Sequence, residues 1–231
     1  MDLLSKVQRG SDILTQRVAA AADAALSCRS ASPDPADYAG PVRTAVTITE
    51  LGRPGFLANI SQQLAVYGAA MGAGADELPG RQVIMERHAG HPGLRALAAI
   101  DDQSQQLVGF AYCFRGAPGQ WWHDVVWSAV AATSGVQAAR EWLDDTVEIA
   151  EVHVRPDFQA RGIGRRLVTG LTAERPERTA VLSTRDAASP ARRLYRQLGF
   201  ADLLTAFVFP GGGPPYAVMG ARLPLPEADA G

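Results

Sequence analysis

Several things are scarce in this 231-residue chain. It has two cysteines, Cys28 and Cys113, far apart and outside any CxxC spacing. A disulfide framework and a cysteine-ligated zinc site are therefore not expected. Of its 22 basic residues one is lysine, Lys6, leaving 21 arginines. That bias reads as a GC-rich coding sequence and carries no chemistry. Net charge is −2, so the strongly basic character of a general nucleic-acid binder is missing. No window approaches the ~18 consecutive apolar residues of a membrane-spanning helix. Arg9, Asp12 and Arg17 interrupt the N-terminus where a secretory signal would be apolar. These absences predict a soluble, cytoplasmic protein with no nucleic-acid partner and no membrane association.

Apolar residues make up 47% of the chain and charged residues 20%, enough for a sizeable core. Residues 2–27 carry apolar positions at helical spacing, and "SASPDPADYAGP" (30–41) reads as a linker. A boundary is placed after residue 42. Alternation predicts strands over 43–51, 94–101, 105–116, 146–156, 178–184, 201–209 and 216–223. Helical period predicts helices over 55–72, 81–90, 162–172 and 189–198. An insertion over 117–145, mostly helical, holds all four tryptophans. This order predicts an α/β (α+β) fold over 43–223: a mixed, mostly antiparallel central sheet flanked by helices. Residues 1–42 are an N-terminal helical extension and linker, and 224–231 a C-terminal tail.

The run "EIAEVHVRPDFQARGIGRRLVTGL" (148–171) places Gly162 and Gly164 where a strand hands over to a helix. The first N–H groups of a helix lack intrahelical acceptors and sit at the positive end of its dipole. Two glycines there let an anion come close, and Arg161, Arg165 and Arg166 add positive charge. A P-loop would need GxxxxGK[ST], which is absent, and a dinucleotide fingerprint would need glycine where Leu167 stands. Leu167 thus disfavours a nucleotide-dependent oxidoreductase. The glycines alone are equally compatible with a tight turn among solvated arginines.

The longer pattern "EIAEVHVRPDFQARGIG" resembles the acetyl-CoA-binding motif of the GNAT superfamily of N-acetyltransferases, with Gln159, Gly162 and Gly164 matching its turn. "SPARRLYRQLGF" (189–200) resembles the second family signature. The resemblance implies an acetyl-CoA-dependent transfer of an acetyl group to a primary amine in a ternary complex. It implies that the backbone of Val152, His153 and Val154 pairs with the pantetheine arm as an added strand. It implies that the amides of Ala160, Arg161, Gly162, Ile163, Gly164 and Arg165 hold the pyrophosphate. Tyr195 would protonate the leaving thiolate, and Glu148 would be the general base. One departure stands out: many members carry Asn where this chain has Ala188, so a contact to the cofactor is lost or moved to Ser189. A non-catalytic acyl-CoA-binding sensor is the alternative, and the Ala188 departure is its support.

Amine attack on a thioester needs a proton acceptor, because an alkylammonium has a pKa of about 10.4. Strict alternation puts Glu148 with Ala150, Val152 and Val154 on one face of the strand, and Glu151 with His153 on the other; a bulge, which members of the resembled family often have here, would break this register. Glu148 is then a base or half of an ion pair with an arginine, and Glu151 with His153 are an alternative base pair. Tyr195 lies on the apolar stripe of a helix that Ser189 and Pro190 start well, so it is a general acid or a core tyrosine. In the insertion, Trp121, Trp122 and Asp124 would form an acceptor wall meeting an ammonium, or pack on the sheet. His88 and His91 are read as surface caps at a helix end, and no metal is expected. The acceptor is an amine-bearing small molecule or protein; a homodimer is compatible with the sequence.

Overall fold

The computed structural model describes residues 45–226. The extension expected over 1–42 lies outside the described residues, as do residues 227–231. Seven strands form one sheet in the order β1-β2-β3-β4-β5-β7-β6. They are β1 (Val46–Leu51), β2 (Arg95–Asp101), β3 (Leu107–Gly116), β4 (Thr146–Val154), β5 (Thr179–Arg185), β6 (Ala201–Phe207) and β7 (Tyr216–Arg222). Every neighbouring pair is antiparallel except β4 and β5. The expected mixed, mostly antiparallel sheet is present. All seven predicted strands are found, with ends shifted by up to three residues.

The helices are α1 (Arg53–Ala58), α2 (Ile60–Met71), α3 (Leu78–His88), α4 (Trp121–Ser134), α5 (Val136–Leu143), α6 (Ile163–Thr172) and α7 (Pro190–Gln197). The single helix expected over 55–72 is two. Its break falls at Asn59, whose backbone leaves helical angles (φ −102°, ψ 8°) while its side-chain amide donates to the Gly55 carbonyl at 2.8 Å. Asparagine offers the backbone this local competitor to the helix ladder. α2 ends at Gly72, which takes the left-handed conformation (φ 65°) that stops a helix.

Three apolar layers hold the sheet. α6 and α7 cover one face through Ile163, Leu167, Leu171, Tyr195 and Leu198. On the other face, α1–α3 cover β2–β4 through Phe56, Leu64, Tyr67 and Met85. α4 and α5 cover β5–β7 on that same side, through Val126, Val130 and Leu143 on Val181 and Val218. The tryptophan insertion is thus a packed helical pair rather than a loop.

Two irregularities in β4 position the site. β4 pairs with β5 only over Thr146–Glu148, against Thr179–Val181. Beyond that point the parallel ladder stops, although both strands continue. The second irregularity is a bulge. Glu151 pairs with Tyr112 and Ile149 with Cys113, so Ala150 is the extra residue. A bulge bends and twists the strand that carries it, which turns β4 away from β5.

Candidate active site

The bulge corrects the expected facing of β4. Val147 and Ile149 are buried in the α6–α7 layer, and Val152 and Val154 pack against it. Glu148 pairs with Phe114 and Val181, Glu151 with Tyr112, and His153 with Phe110. Phe110, Tyr112 and Phe114 all belong to the α1–α3 layer. Glu148, Glu151 and His153 therefore share one face, where strict alternation separated Glu148 from the other two. The physical reason is the extra residue: one inserted position reverses the side-chain parity of everything before it.

Glu148 is 4% exposed, and its Oε2 has no hydrogen-bond partner. It forms no ion pair among the described residues, so the arginine partner considered from sequence is not present. Burial alone pushes its carboxyl up to about 8. Glu151 is the opposite case. Burial would raise it, but Arg81 Nη1 donates to its Oε1 at 2.7 Å and His153 pairs with its Oε2. Those partners outweigh burial and hold Glu151 down near about 2. Arg81 also donates to the Tyr67 hydroxyl at 3.1 Å. Sequence reasoning missed Arg81 and Tyr67; nothing marks one arginine of 21 as the partner of a carboxylate 70 residues downstream.

The His88 ring is not a surface cap. It lies 4.8 Å from the Phe114 ring, and its Nδ1 is 3.1 Å from the Tyr112 hydroxyl. Burial, then the nearby His91, lowers its pKa to about 4. Cys113 is buried, and that burial raises its thiol to about 12. Among the described residues there is no group of three His, Cys, Asp or Glu side chains able to hold a metal.

On the other side of the split, Tyr195 is buried beside Phe200, with ring centroids 5.8 Å apart. Burial, with a further contribution from the Glu151 charge, raises its phenol well above the usual range. Ser189 is the N-cap of α7 and accepts from the Arg192 N–H at 3.1 Å, as its position before Pro190 predicts. α7 is anchored by Arg192, which pairs with Asp186 and with Asp202 at 2.8 Å.

The turn before α6 has the conformation its glycines suggest. Gly162 sits at φ 76° as N-cap, with nothing within 4 Å of where a Cβ would lie. Ala160 is also left-handed, at φ 57°. Among the described residues the N–H groups of Ala160, Arg161, Gly162, Ile163, Gly164 and Arg165 have no acceptor, and no side chain caps α6. Gly164 has a different reason to be small: a Cβ there would lie 3.2 Å from Leu194 of α7. Gln159 is exposed and donates from its side chain to the Val154 carbonyl at 2.9 Å. Arg161 donates to the Asp157 carbonyl and stacks over Phe158, and Arg165 reaches Gln197.

In the insertion, Trp122 is half-buried and donates from Nε1 to Ser183 Oγ at 3.2 Å. Trp121 is 46% exposed and faces the Phe209 ring. Asp124 accepts from the Gly119 N–H and lines a shallow groove of about 500 Å³ with Val125, Ser128, Phe207 and Val208.

A seven-stranded, mostly antiparallel sheet flanked by helices, with one parallel pair at its centre, is the acyl-CoA N-acyltransferase fold. A GNAT-family structure from Desulfovibrio desulfuricans shares it, with TM-score 0.54 and 17% identity, covering 77% of this chain and 99% of that one. So does yncA of Salmonella typhimurium, solved with its cofactor acetyl-CoA, with TM-score 0.52 and 18% identity, covering 78% and 95%. The family described as the acetyltransferase (GNAT) domain matches residues 93–202, from just before β2 into β6. The GCN5-like protein acetyltransferase Rv2170 of Mycobacterium tuberculosis (strain ATCC 25618 / H37Rv) is 34% identical over 132 residues. That stretch covers 55% of this chain and 64% of the relative's length. Residues 93–202 of this chain thus match the acetyltransferase (GNAT) domain, and the sheet around them has that family's fold.

Proposed function

We propose that the protein transfers an acetyl group from acetyl-CoA to a primary amine while both are bound. The observation that carries this reading is the split itself. It leaves the β5-facing edge of β4 without a strand partner beyond Glu148. At the same place lie six backbone N–H groups without acceptors and a carboxyl without a counter-ion.

These features fit acetyl-CoA. The free edge at Val152 and His153 would pair with the pantetheine arm, the Val154 carbonyl being already engaged by Gln159. The amides of Ala160–Arg165 would hold the pyrophosphate at the positive end of α6, with Gly162 leaving the space open. Ser189 stays beside this route as the α7 cap; with Ala188 in place of Asn, backbone contacts carry more of the binding. The bound thioester supplies the acetyl group and a thiolate leaving group.

The chain's own residues then move protons. Glu148, when ionised, accepts a proton from the acceptor's ammonium, freeing the amine lone pair. Tyr195, kept protonated by burial, donates its phenolic proton to the departing sulfur. The α1–α3 and α4–α5 layers flank the acceptor side, with Trp121, Trp122 and Asp124 on its wall. The name of the 34%-identical relative favours a protein amine over a small molecule. We assign the catalytic unit to residues 43–223.

The test is calorimetric titration with acetyl-CoA and, separately, with NADH, followed by thiol release across a panel of amines and peptides. Binding of acetyl-CoA alone, with amine-dependent thiol release, is expected. Binding without thiol release across the panel would favour a sensor; no binding would overturn the transferase reading.

A further inference from the structure

We propose that Arg81 is a positioning residue for Glu148: its ion pair with Glu151 cancels the buried negative charge that the Ala150 bulge brings onto Glu148's face of β4. This rests on Glu148 being the base.

The geometry is as follows. Glu148 and Glu151 pair with Phe114 and Tyr112, which are two residues apart on β3. The two glutamates therefore occupy successive same-face positions, roughly 7 Å apart at two strand steps. Without the bulge they would lie on opposite faces. Both are buried, but only Glu151 is compensated. Its compensation comes from Arg81 of α3 at 2.7 Å, with His153 at its other oxygen.

The other groups on this face are tyrosines and histidines, of which His153 also pairs with Glu151 Oε2. They are Tyr67 from α2, His88 from α3, His91 after it, Tyr112 from β3 and His153 from β4 itself. Across the split, the residue paired with Glu148 is apolar Val181, packed by α4 and α5. His123 of α4 is spent on the Leu143 carbonyl at 3.1 Å.

The two halves of the pair therefore act on Glu148 with opposite sign. Arg81→Met uncovers a carboxylate, so Glu148 holds its proton to higher pH. Glu151→Gln uncovers a guanidinium, so Glu148 releases its proton at lower pH. Each shift should be about one to two pH units for a unit charge at this separation. The double variant removes both charges and returns Glu148 close to its wild-type titration. A merely structural role would move both single variants alike.

The experiment uses the full chain with carboxyl-labelled glutamate, titrated by NMR without acceptor. The Glu148 signal is identified by its absence in Glu148→Gln. The rate of acetyl transfer against pH is measured in parallel. An upward shift in Arg81→Met, a downward shift in Glu151→Gln, near-cancellation in the double variant and rescue by Arg81→Lys are expected. Should Arg81→Met fold poorly, the downward shift in Glu151→Gln decides alone. Unmoved or same-direction shifts in the NMR titration overturn the proposal whatever the rates do. Shifts as expected with a rate profile that ignores them would keep the charge coupling and remove Glu148 as the base.

Discussion

A carboxyl at 4% exposure, with one oxygen free of hydrogen bonds, is more stable protonated than ionised. This changes the sign of two pH effects. Glu148 has a folded value of about 8 against an ordinary 4.5. Between those values the folded chain keeps a proton that the unfolded chain has released, so stability falls as pH rises through that window. Glu148→Gln, which stays neutral, should match wild type near the lower value and exceed it above the upper one by roughly 3–5 kcal/mol. Thermal melts at about pH 5 and about pH 9 check this; equal offsets at both would mean an ordinary, solvated carboxyl. For catalysis, wild-type turnover should climb through about pH 8, and Glu148→Gln should lose that limb. An ordinary carboxylate would instead be ionised throughout and help most at low pH. Gly162 is the other residue with an individual role. Gly162→Ala should lower stability by only about 1–2 kcal/mol, the strain of a left-handed side chain. It should weaken acetyl-CoA binding by more, since the new methyl fills open space beside the free N–H groups. Calorimetry beside a denaturant melt separates the two losses.

At the scale of elements, the role proposed for Tyr195 requires α7 to be held in place, and Arg192 fastens it to Asp186 before the helix and Asp202 in β6. Arg192 is nearly buried, and removing it leaves Asp186 without its ion-pair partner, while Asp202 keeps Arg196 at 2.9 Å. Arg192→Met should cost about 1–3 kcal/mol, since both carboxylates are part-exposed and one keeps an arginine. Tyr195→Phe should instead leave the melt almost unchanged and cut turnover, with acetyl-CoA affinity held; unchanged turnover would remove Tyr195 as the acid. The elements themselves were legible in the sequence. Alternation and helical period place each strand and most helices, and the Ser189-Pro190 start of α7 is where the cap chemistry puts it. The turn at Gly162 was legible for the same reason: only a left-handed, uncapped helix start needs that residue there. The bulge was open only through the family resemblance; its position was not legible, because Ala150 looks like any other strand alanine and the effect is a parity change in its neighbours. The partners of Glu151 were not either, because Arg81 and Tyr67 arrive from helices distant in sequence. Nor could the lack of an ion pair at Glu148 among the described residues be read from a chain rich in arginine.

At the scale of the molecule, the proposed reaction would bring its two reactants together from opposite faces of β4. The free N–H groups and Tyr195 belong to the α6–α7 side, Glu148 and Glu151 to the side of α1–α5. The faces communicate only where β4 leaves β5. Such a molecule favours direct attack between two bound reactants over a relay through an acetylated side chain. The relay would need a nucleophile at the split, and the described thiol is the wrong one. Cys113 is fully buried in the α6–α7 layer, and its thiol is pushed up to about 12 by that burial. Initial rates measured over a grid of acetyl-CoA and amine concentrations should therefore give intersecting rather than parallel reciprocal lines. Cys113→Ala should retain turnover, at a modest loss of packing. Cys28, outside the described residues, is covered by a Cys28→Ser variant with the same expectation. Parallel lines, with [14C]acetyl retained on the protein in the absence of amine, would mean that a side chain carries the acetyl group. The split would then serve two half-reactions in turn, and the opposed placement of Glu148 and Tyr195 would need another explanation.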